Sequence, residues 1–151
     1  MLKTVIPPPV YALVIAALMW WLDADWPLLS WPESVLNYLG LAIIGLALLA
    51  DLWSLGLFFR AKTTPNPMKP VSTKKLVVQG MYRISRNPMY LGMLIALTGW
   101  WIYLGSLSPL FMLPVFVWVI TVQQILPEEA VLEEKFGAEY LAYKRRVRRW
   151  I

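Results

Sequence analysis

Long apolar runs alternate with short polar segments along this chain, and the runs have the length of membrane spans. A helix rises about 1.5 Å per residue, so crossing a hydrocarbon core about 30 Å thick takes about 20 mostly apolar residues. Residues 4–22 carry no charge, and the prolines at 7, 8 and 9 suit a helix start. Asp23 and Asp25 follow where a cleaved leader would have small residues, so the run reads as a retained span. Residues 34–59 form a second apolar stretch broken only by Asp51. Residues 87–127 are a charge-free run of 41, about 60 Å as helix, which is two crossings. The turn chemistry at its centre is Ser106-Leu107-Ser108-Pro109, so spans at 88–106 and 109–126 form an antiparallel hairpin.

The pattern changes after Pro127. Leu132, Phe136, Tyr140, Tyr143, Val147 and Ile151 recur at helical spacing, which predicts an amphipathic helix over 127–151. Its glutamates come early and its arginines late, complementing the helix dipole, and Gly137 marks a bend. The expected architecture is all-α, a single membrane domain of four spans with a cytoplasmic segment at 60–86 and a C-terminal surface helix. Lipid would contact that helix and its arginines.

Charge orients this bundle. All 14 basic residues fall on Lys3, the 60–86 segment and the tail, whereas the loop between the first two spans has Asp23, Asp25 and Glu33. Lys and Arg concentrate on the cytoplasmic side, so both ends of the chain are expected there, in the cell (inner) membrane. Trp20, Trp21, Trp26 and Trp31 form an interfacial belt at the opposite face. The net charge of +5 is explained by this bias, and nucleic acid is not an expected partner. The chain has no His and no Cys, which excludes thiolate nucleophiles, His general bases and the usual zinc ligand sets; no metal site is expected. Chemistry here must use Asp, Glu, Arg, Lys, Tyr or the backbone.

The hairpin brings its two open ends together. At one end Asn87 suits an N-cap and Pro88 a first helical turn, leaving free N–H groups and a positive dipole end beside Arg86, an anion-binding corner. At the other end Gln123 and Gln124 place amides near membrane depth, and Glu128 and Glu129 place carboxylates beside them. Each element also has an ordinary reading: Asn-Pro is common punctuation, and Pro-Glu-Glu is a common first turn. Gly92, Ala96 and Gly99 share one face of the third span, which suits helix packing better than ligand clearance. Asp51 is an intramembrane carboxylate, either functional or paired with a basic residue.

The ordered run Gly80-Met81-Tyr82-Arg83-Ile84-Ser85-Arg86-Asn87-Pro88-Met89-Tyr90-Leu91-Gly92, then Pro127-Glu128-Glu129, Leu132-Glu133, Phe136-Gly137-Ala138-Glu139-Tyr140, Tyr143, and Arg146-Val147 with Arg149-Trp150 resembles the integral-membrane methyltransferases. These are the isoprenylcysteine carboxyl methyltransferase and phospholipid N-methyltransferase group, especially small prokaryotic members. The resemblance covers residues 60–151, including Thr63-Thr64-Pro65-Asn66-Pro67, and departs at Asn87, where many relatives carry His. It implies S-adenosylmethionine as methyl donor and a lipophilic small molecule or lipid as acceptor. By position it implies cofactor contacts from Tyr82, Arg86, Asn87, Pro88, Tyr90, Gly92, Gln124, Glu128, Glu129, Tyr140 and Arg149, with Arg86, Glu129 and Arg146 closest to the chemistry. Two other readings remain compatible with the span count: a four-span transporter with Asp51 as its proton-coupling group, and a structural membrane subunit.

Overall fold

The computed structural model describes residues 6–32, 34–60 and 76–151, the side chains of 58–60 excepted. Lys3, Glu33 and the Thr63 to Pro67 motif, with most of the expected cytoplasmic segment, lie outside the described residues. Within them the chain is helical: α1 (Pro8–Asp25), α2 (Val35–Arg60), α3 (Pro88–Leu104), α4 (Met112–Ile120), α5 (Leu126–Phe136) and α6 (Ala138–Arg146). Two stretches, Val35–Leu57 and Ser108–Phe136, are long and apolar enough to cross a membrane, and α3 is a shorter apolar helix.

α3 lies at the centre, with α1 and α4 on one side and α2 on the other. Ile15 and Met19 of α1, Tyr90 and Leu97 of α3, Phe116 and Ile120 of α4, and Ile125 beyond it form the main core. α2 crosses α3 at backbone contact distance. A Cβ on Gly40 would meet the Gly99 carbonyl at 2.6 Å, and one on Gly99 would meet the Gly40 carbonyl at 2.7 Å. Small residues let helices approach this closely, which is the packing role expected for the Gly92 to Gly99 face. The outer face of α2 is left apolar and open at Leu39, Leu46, Leu49, Leu52 and Trp53.

The turn between α3 and α4 falls where its chemistry predicts. Gly105 stops α3 in a left-handed conformation (φ 95°), and a 3-10 turn over Ser108–Phe111 starts the return. The α1–α2 loop is laid on this turn. Leu107 N–H donates to the Leu28 carbonyl (2.7 Å), Trp31 N–H to the Gly105 carbonyl (2.8 Å), and the Ser108 hydroxyl to the Trp26 carbonyl. Asp23 is part of the same lock, accepting from the Ser106 hydroxyl at 2.5 Å. Trp20, Trp21 and Trp26 are exposed, as a belt requires, whereas Trp31 packs edge-on against Trp101.

Helix boundaries differ from expectation at three places. α1 runs to Asp25, beyond the last uncharged residue, because a charge at a membrane boundary does not stop a helix. Pro127 does not separate the last span from the tail: the chain passes through a π turn at Thr121–Ile125 and continues as α5. Proline has no N–H to donate to the preceding turn, and a widened turn accommodates that loss. The expected tail helix divides at Gly137 (φ 47°), and it ends at Arg146, not at 151. Val147 is extended, and the following residues return along the start of α3 as a strap. Leu132, Phe136, Tyr140, Tyr143 and Val147 do share one face, packed on Leu76 and Val78, while Ile151 is exposed.

Candidate active site

The open ends of the α3–α4 hairpin and the strap converge on Glu129. It sits in the first turn of α5 and is only 6% exposed. Arg149 grips it side-on, Nε to Oε1 at 3.0 Å and Nη2 to Oε2 at 2.8 Å. Arg86 approaches from the α3 side, with Nη2 3.1 Å from Oε1. One carboxylate thus joins two arginines 63 positions apart in the chain. Charge-assisted bidentate pairs of this kind are both strong and directional. The hydrogen bond to Glu129 holds the Arg149 guanidinium above its ordinary pKa, so it stays charged. Arg86 Nε and Nη1 are buried and have no hydrogen-bond partner among the described residues.

The strap is fixed through its backbone. Arg86 N–H donates to the Arg148 carbonyl (3.0 Å), and the Arg149 carbonyl accepts from Ser85 Oγ (3.2 Å) and Asn87 Nδ2 (3.0 Å). Asn87 therefore occupies the N-cap position of α3 without capping it through its side chain, contrary to the expected role. Its amide is spent on the strap. Pro88 takes the first helical position as expected.

Beside this cluster Tyr90 donates its hydroxyl to Glu128 Oε1 at 2.6 Å. Gln124, fully buried in the π turn, donates Nε2 to the Ile6 carbonyl at 2.8 Å, while its Oε1 has no partner among the described residues. π turns recur at functional sites because they re-aim one side chain within a helix. On the other flank Tyr143 donates to the Tyr82 carbonyl at 2.6 Å, and Tyr140 packs beside Tyr143. Burial, then the charge of Glu129, pushes the Tyr140 hydroxyl up to about 12. Burial does the same to Tyr143 and Tyr82, so all three are neutral donors at physiological pH.

Arg86, Tyr90, Glu128, Glu129 and Arg149 therefore meet, with Tyr82, Asn87, Pro88, Gln124 and Tyr140 around them. Two expected residues do not join. Arg146 is exposed and its Nε donates to the Ala142 carbonyl (3.4 Å), because the last turn of α6 faces it outward. Gly92 is turned to α2, where a Cβ would come within 1.9 Å of Asp51 Oδ1. Ser85 and Tyr143 were not among the expected site residues. Both lie within the motifs that carry the family resemblance, and Tyr143 also lies on the apolar face of the tail pattern, which reads as packing. Among the described residues no group of acidic side chains is arranged to hold a metal ion.

The sequence model of the phospholipid methyltransferase family matches residues 34–139. Over 63 residues, 42% of this chain, the sequence is 44% identical to the full length of an uncharacterised protein of Haemophilus influenzae. It is 37% identical over 73 residues to protein-S-isoprenylcysteine O-methyltransferase B of Arabidopsis thaliana, and 33% identical over 72 to protein-S-isoprenylcysteine O-methyltransferase of Schizosaccharomyces pombe. Each of these two matches takes in 48% of this chain but only 37% and 30% of the relative. The chain thus spans about a third of the length of the eukaryotic enzymes it matches. No solved structure matches the chain.

Proposed function

The chain belongs to the phospholipid methyltransferase family of integral-membrane methyltransferases, and on that footing we propose that it transfers a methyl group from S-adenosylmethionine to a lipophilic acceptor within the membrane. The observation that carries this reading is the pair of buried donors on Arg86 that have no partner among the described residues, held at the start of α3 by Glu129. A buried guanidinium with open donors is a site for an anion. The methionyl carboxylate of S-adenosylmethionine suits it.

Glu129 has both oxygens engaged by arginine, so in this reading it orients Arg86 and Arg149 and does not itself hold the ligand. The contact to a ribose hydroxyl or the α-ammonium falls to Glu128, whose Oε1 is taken by Tyr90 and whose second oxygen remains. The ring of Tyr90 offers a π face to a sulfonium. When bound, S-adenosylmethionine supplies an electrophilic methyl group. The residues here contribute position and exclusion of water, which suffice for much of the acceleration of a displacement and require no His or Cys.

The four apolar helical segments are read as four spans in the cell membrane, with both ends of the chain and the Glu129 cluster on the cytoplasmic side, where the Lys and Arg lie. Family membership stands against the transporter reading. The test is calorimetric titration of S-adenosylhomocysteine into detergent-solubilised protein. Binding is expected, weakened at least about tenfold by Arg86→Ala, the equivalent of one charged hydrogen bond. Absence of binding at millimolar ligand overturns the proposal.

A further inference from the structure

Three exposed arginines share one surface. Arg83, Arg145 and Arg148 are exposed, and none pairs with a carboxylate among the described residues. Residues 61–75 contain four lysines and no Asp or Glu. Two contacts bring the arginines together. Tyr143 donates to the Tyr82 carbonyl at 2.6 Å, which sets the turn carrying Arg83 on α6, and Arg86 N–H donates to the Arg148 carbonyl at 3.0 Å, which sets the strap beside the same turn. Apolar side chains lie open among them: Ile84, Leu141 and Ile151 are exposed, and Leu141 stands one turn before Arg145 on the outer side of α6.

Crowded like charges repel one another, and open leucine and isoleucine gain nothing from water. Phosphate headgroups above acyl chains satisfy both. The surface stands at the level such headgroups occupy, because the strap runs along Arg86 and Asn87, directly before the apolar helix α3 begins. The exposed acids are set apart from it: Glu134 and Glu139 flank the bend at Gly137, and Glu139 precedes Arg145 by about 9 Å of helix. A soluble polyanion would match the arginines but not the apolar side chains between them.

We propose that Arg83, Arg145 and Arg148 seat the headgroups of anionic phospholipids, and that lipid held there keeps the strap closed on the Glu129 cluster. α6 then turns its Arg145 end to the membrane and its Glu139 end to water. The strap is divided in a way that couples the two. Its backbone is engaged inward by Ser85, Arg86 and Asn87, and the Arg149 side chain reaches inward to Glu129, whereas the Arg148 side chain is exposed. The strap has no regular secondary structure beyond Val147, so it opens locally at the cost of these few bonds. Anchoring Arg148 to a headgroup favours the closed strap, in which Arg149 meets Glu129 and Arg86 is held for its ligand. By linkage, lipid and ligand then strengthen each other's binding. The inference rests on the proposed function for the identity of that ligand, while the lipid seat is tested without it.

The experiment places the full-length protein in nanodiscs of phosphatidylcholine, alone or mixed with phosphatidylglycerol, and follows hydrogen exchange of the strap amides without cofactor. Exchange is expected to slow at least about fivefold with phosphatidylglycerol, the effect of one arginine at an anionic surface. Glycerol phosphate added to phosphatidylcholine discs is not expected to reproduce it; equal slowing there would make the surface a soluble-anion site and overturn the lipid assignment. The double variant Arg145→Gln/Arg148→Gln, which keeps the Arg148 carbonyl, is expected to lose the phosphatidylglycerol effect while its unfolding midpoint in phosphatidylcholine matches the unsubstituted protein. Slowing that persists in the variant, or none in the unsubstituted protein, overturns the seat. Calorimetry in the same discs is expected to show S-adenosylhomocysteine binding a few-fold more tightly with phosphatidylglycerol. Equal affinity in the two bilayers alongside slowed exchange overturns the coupling. If phosphatidylglycerol slows exchange through the arginines while S-adenosylhomocysteine binds in neither bilayer, the lipid seat stands and the methyltransferase reading falls.

Discussion

Arg149 holds Glu129 through two parallel hydrogen bonds, 3.0 and 2.8 Å long, and thereby ties the end of the strap to the first turn of α5. The planar guanidinium is required for this, since an ammonium presents a point charge and cannot match both oxygens. Arg149→Lys is expected to keep the charge and lose the clamp, lowering stability by about 1–2 kcal/mol. Arg149 is partly exposed, which places the effect at the lower end of what a charged pair supplies. Thermal unfolding in detergent measures it, and an unchanged midpoint would show that the strap is held by its backbone bonds to Ser85, Arg86 and Asn87 alone.

Glu129→Gln should be more damaging than either arginine change. It leaves the Arg86 guanidinium, 9% exposed, facing Arg149 with no anion between them. Breaking a buried pair from one side costs about 3–5 kcal/mol because the stranded charge is not compensated. Arg86→Ala in the Glu129→Gln background should therefore cost little more than Glu129→Gln alone, as residues in one network are not additive. Additive losses in denaturant titrations would mean that Glu129 does not mediate between the two arginines.

The sequence made the hairpin, its turn and the meeting of Arg86 with Glu129 legible, because charge-free length and turn chemistry are enough to fold residues 87–127 back on themselves. It also indicated the apolar face from Leu132 to Val147 and the bend at Gly137. The π turn was not legible, since it follows from Pro127 being absorbed into a continuing helix, and helix continuation is decided by packing around Phe116, Ile120 and Ile125. The strap was hidden for a similar reason. Arg145 to Arg149 keep helical spacing with the residues before them, and only the acceptors needed by Ser85, Arg86 and Asn87 draw the backbone into an extended path. Arg149 meets Glu129 and Arg146 faces outward, a difference the spacing does not show because it depends on where α6 stops.

Alkaline pH is expected to weaken the fold through the tyrosines around the site. Tyr140 is raised from 10 to about 12 by burial and the charge of Glu129, and Tyr143 is raised in the same direction. A raised folded-state value means that the neutral form is favoured by the fold. The stabilisation is complete below pH 10 and is lost as pH rises from about 10 through 12, when the unfolded chain releases protons that the folded one retains. Unfolding midpoints should fall across that window, and Tyr140→Phe should flatten the fall. A flat profile in the unsubstituted protein would mean that the Tyr140 hydroxyl is as solvated in the fold as in the unfolded chain.

Gly92 and Asp51 offer a test of the seam between α2 and α3 that is independent of any ligand. On helix propensity alone, Gly92→Ala should stabilise α3 by about 1 kcal/mol. The built Cβ, however, meets Oδ1 at 1.9 Å and the carboxyl carbon at 2.4 Å, so Asp51 must leave its rotamer or the helices must part. The crossing at Gly40 and Gly99 is in backbone contact and resists parting. Overpacking of this kind costs about 1–3 kcal/mol, which outweighs the propensity gain. Gly92→Ala should therefore destabilise the protein by itself and become neutral or stabilising in an Asp51→Ala background. The sign of that interaction energy in a double-mutant cycle decides the matter. A stabilising Gly92→Ala in the otherwise unsubstituted chain would place the Asp51 carboxylate away from α3.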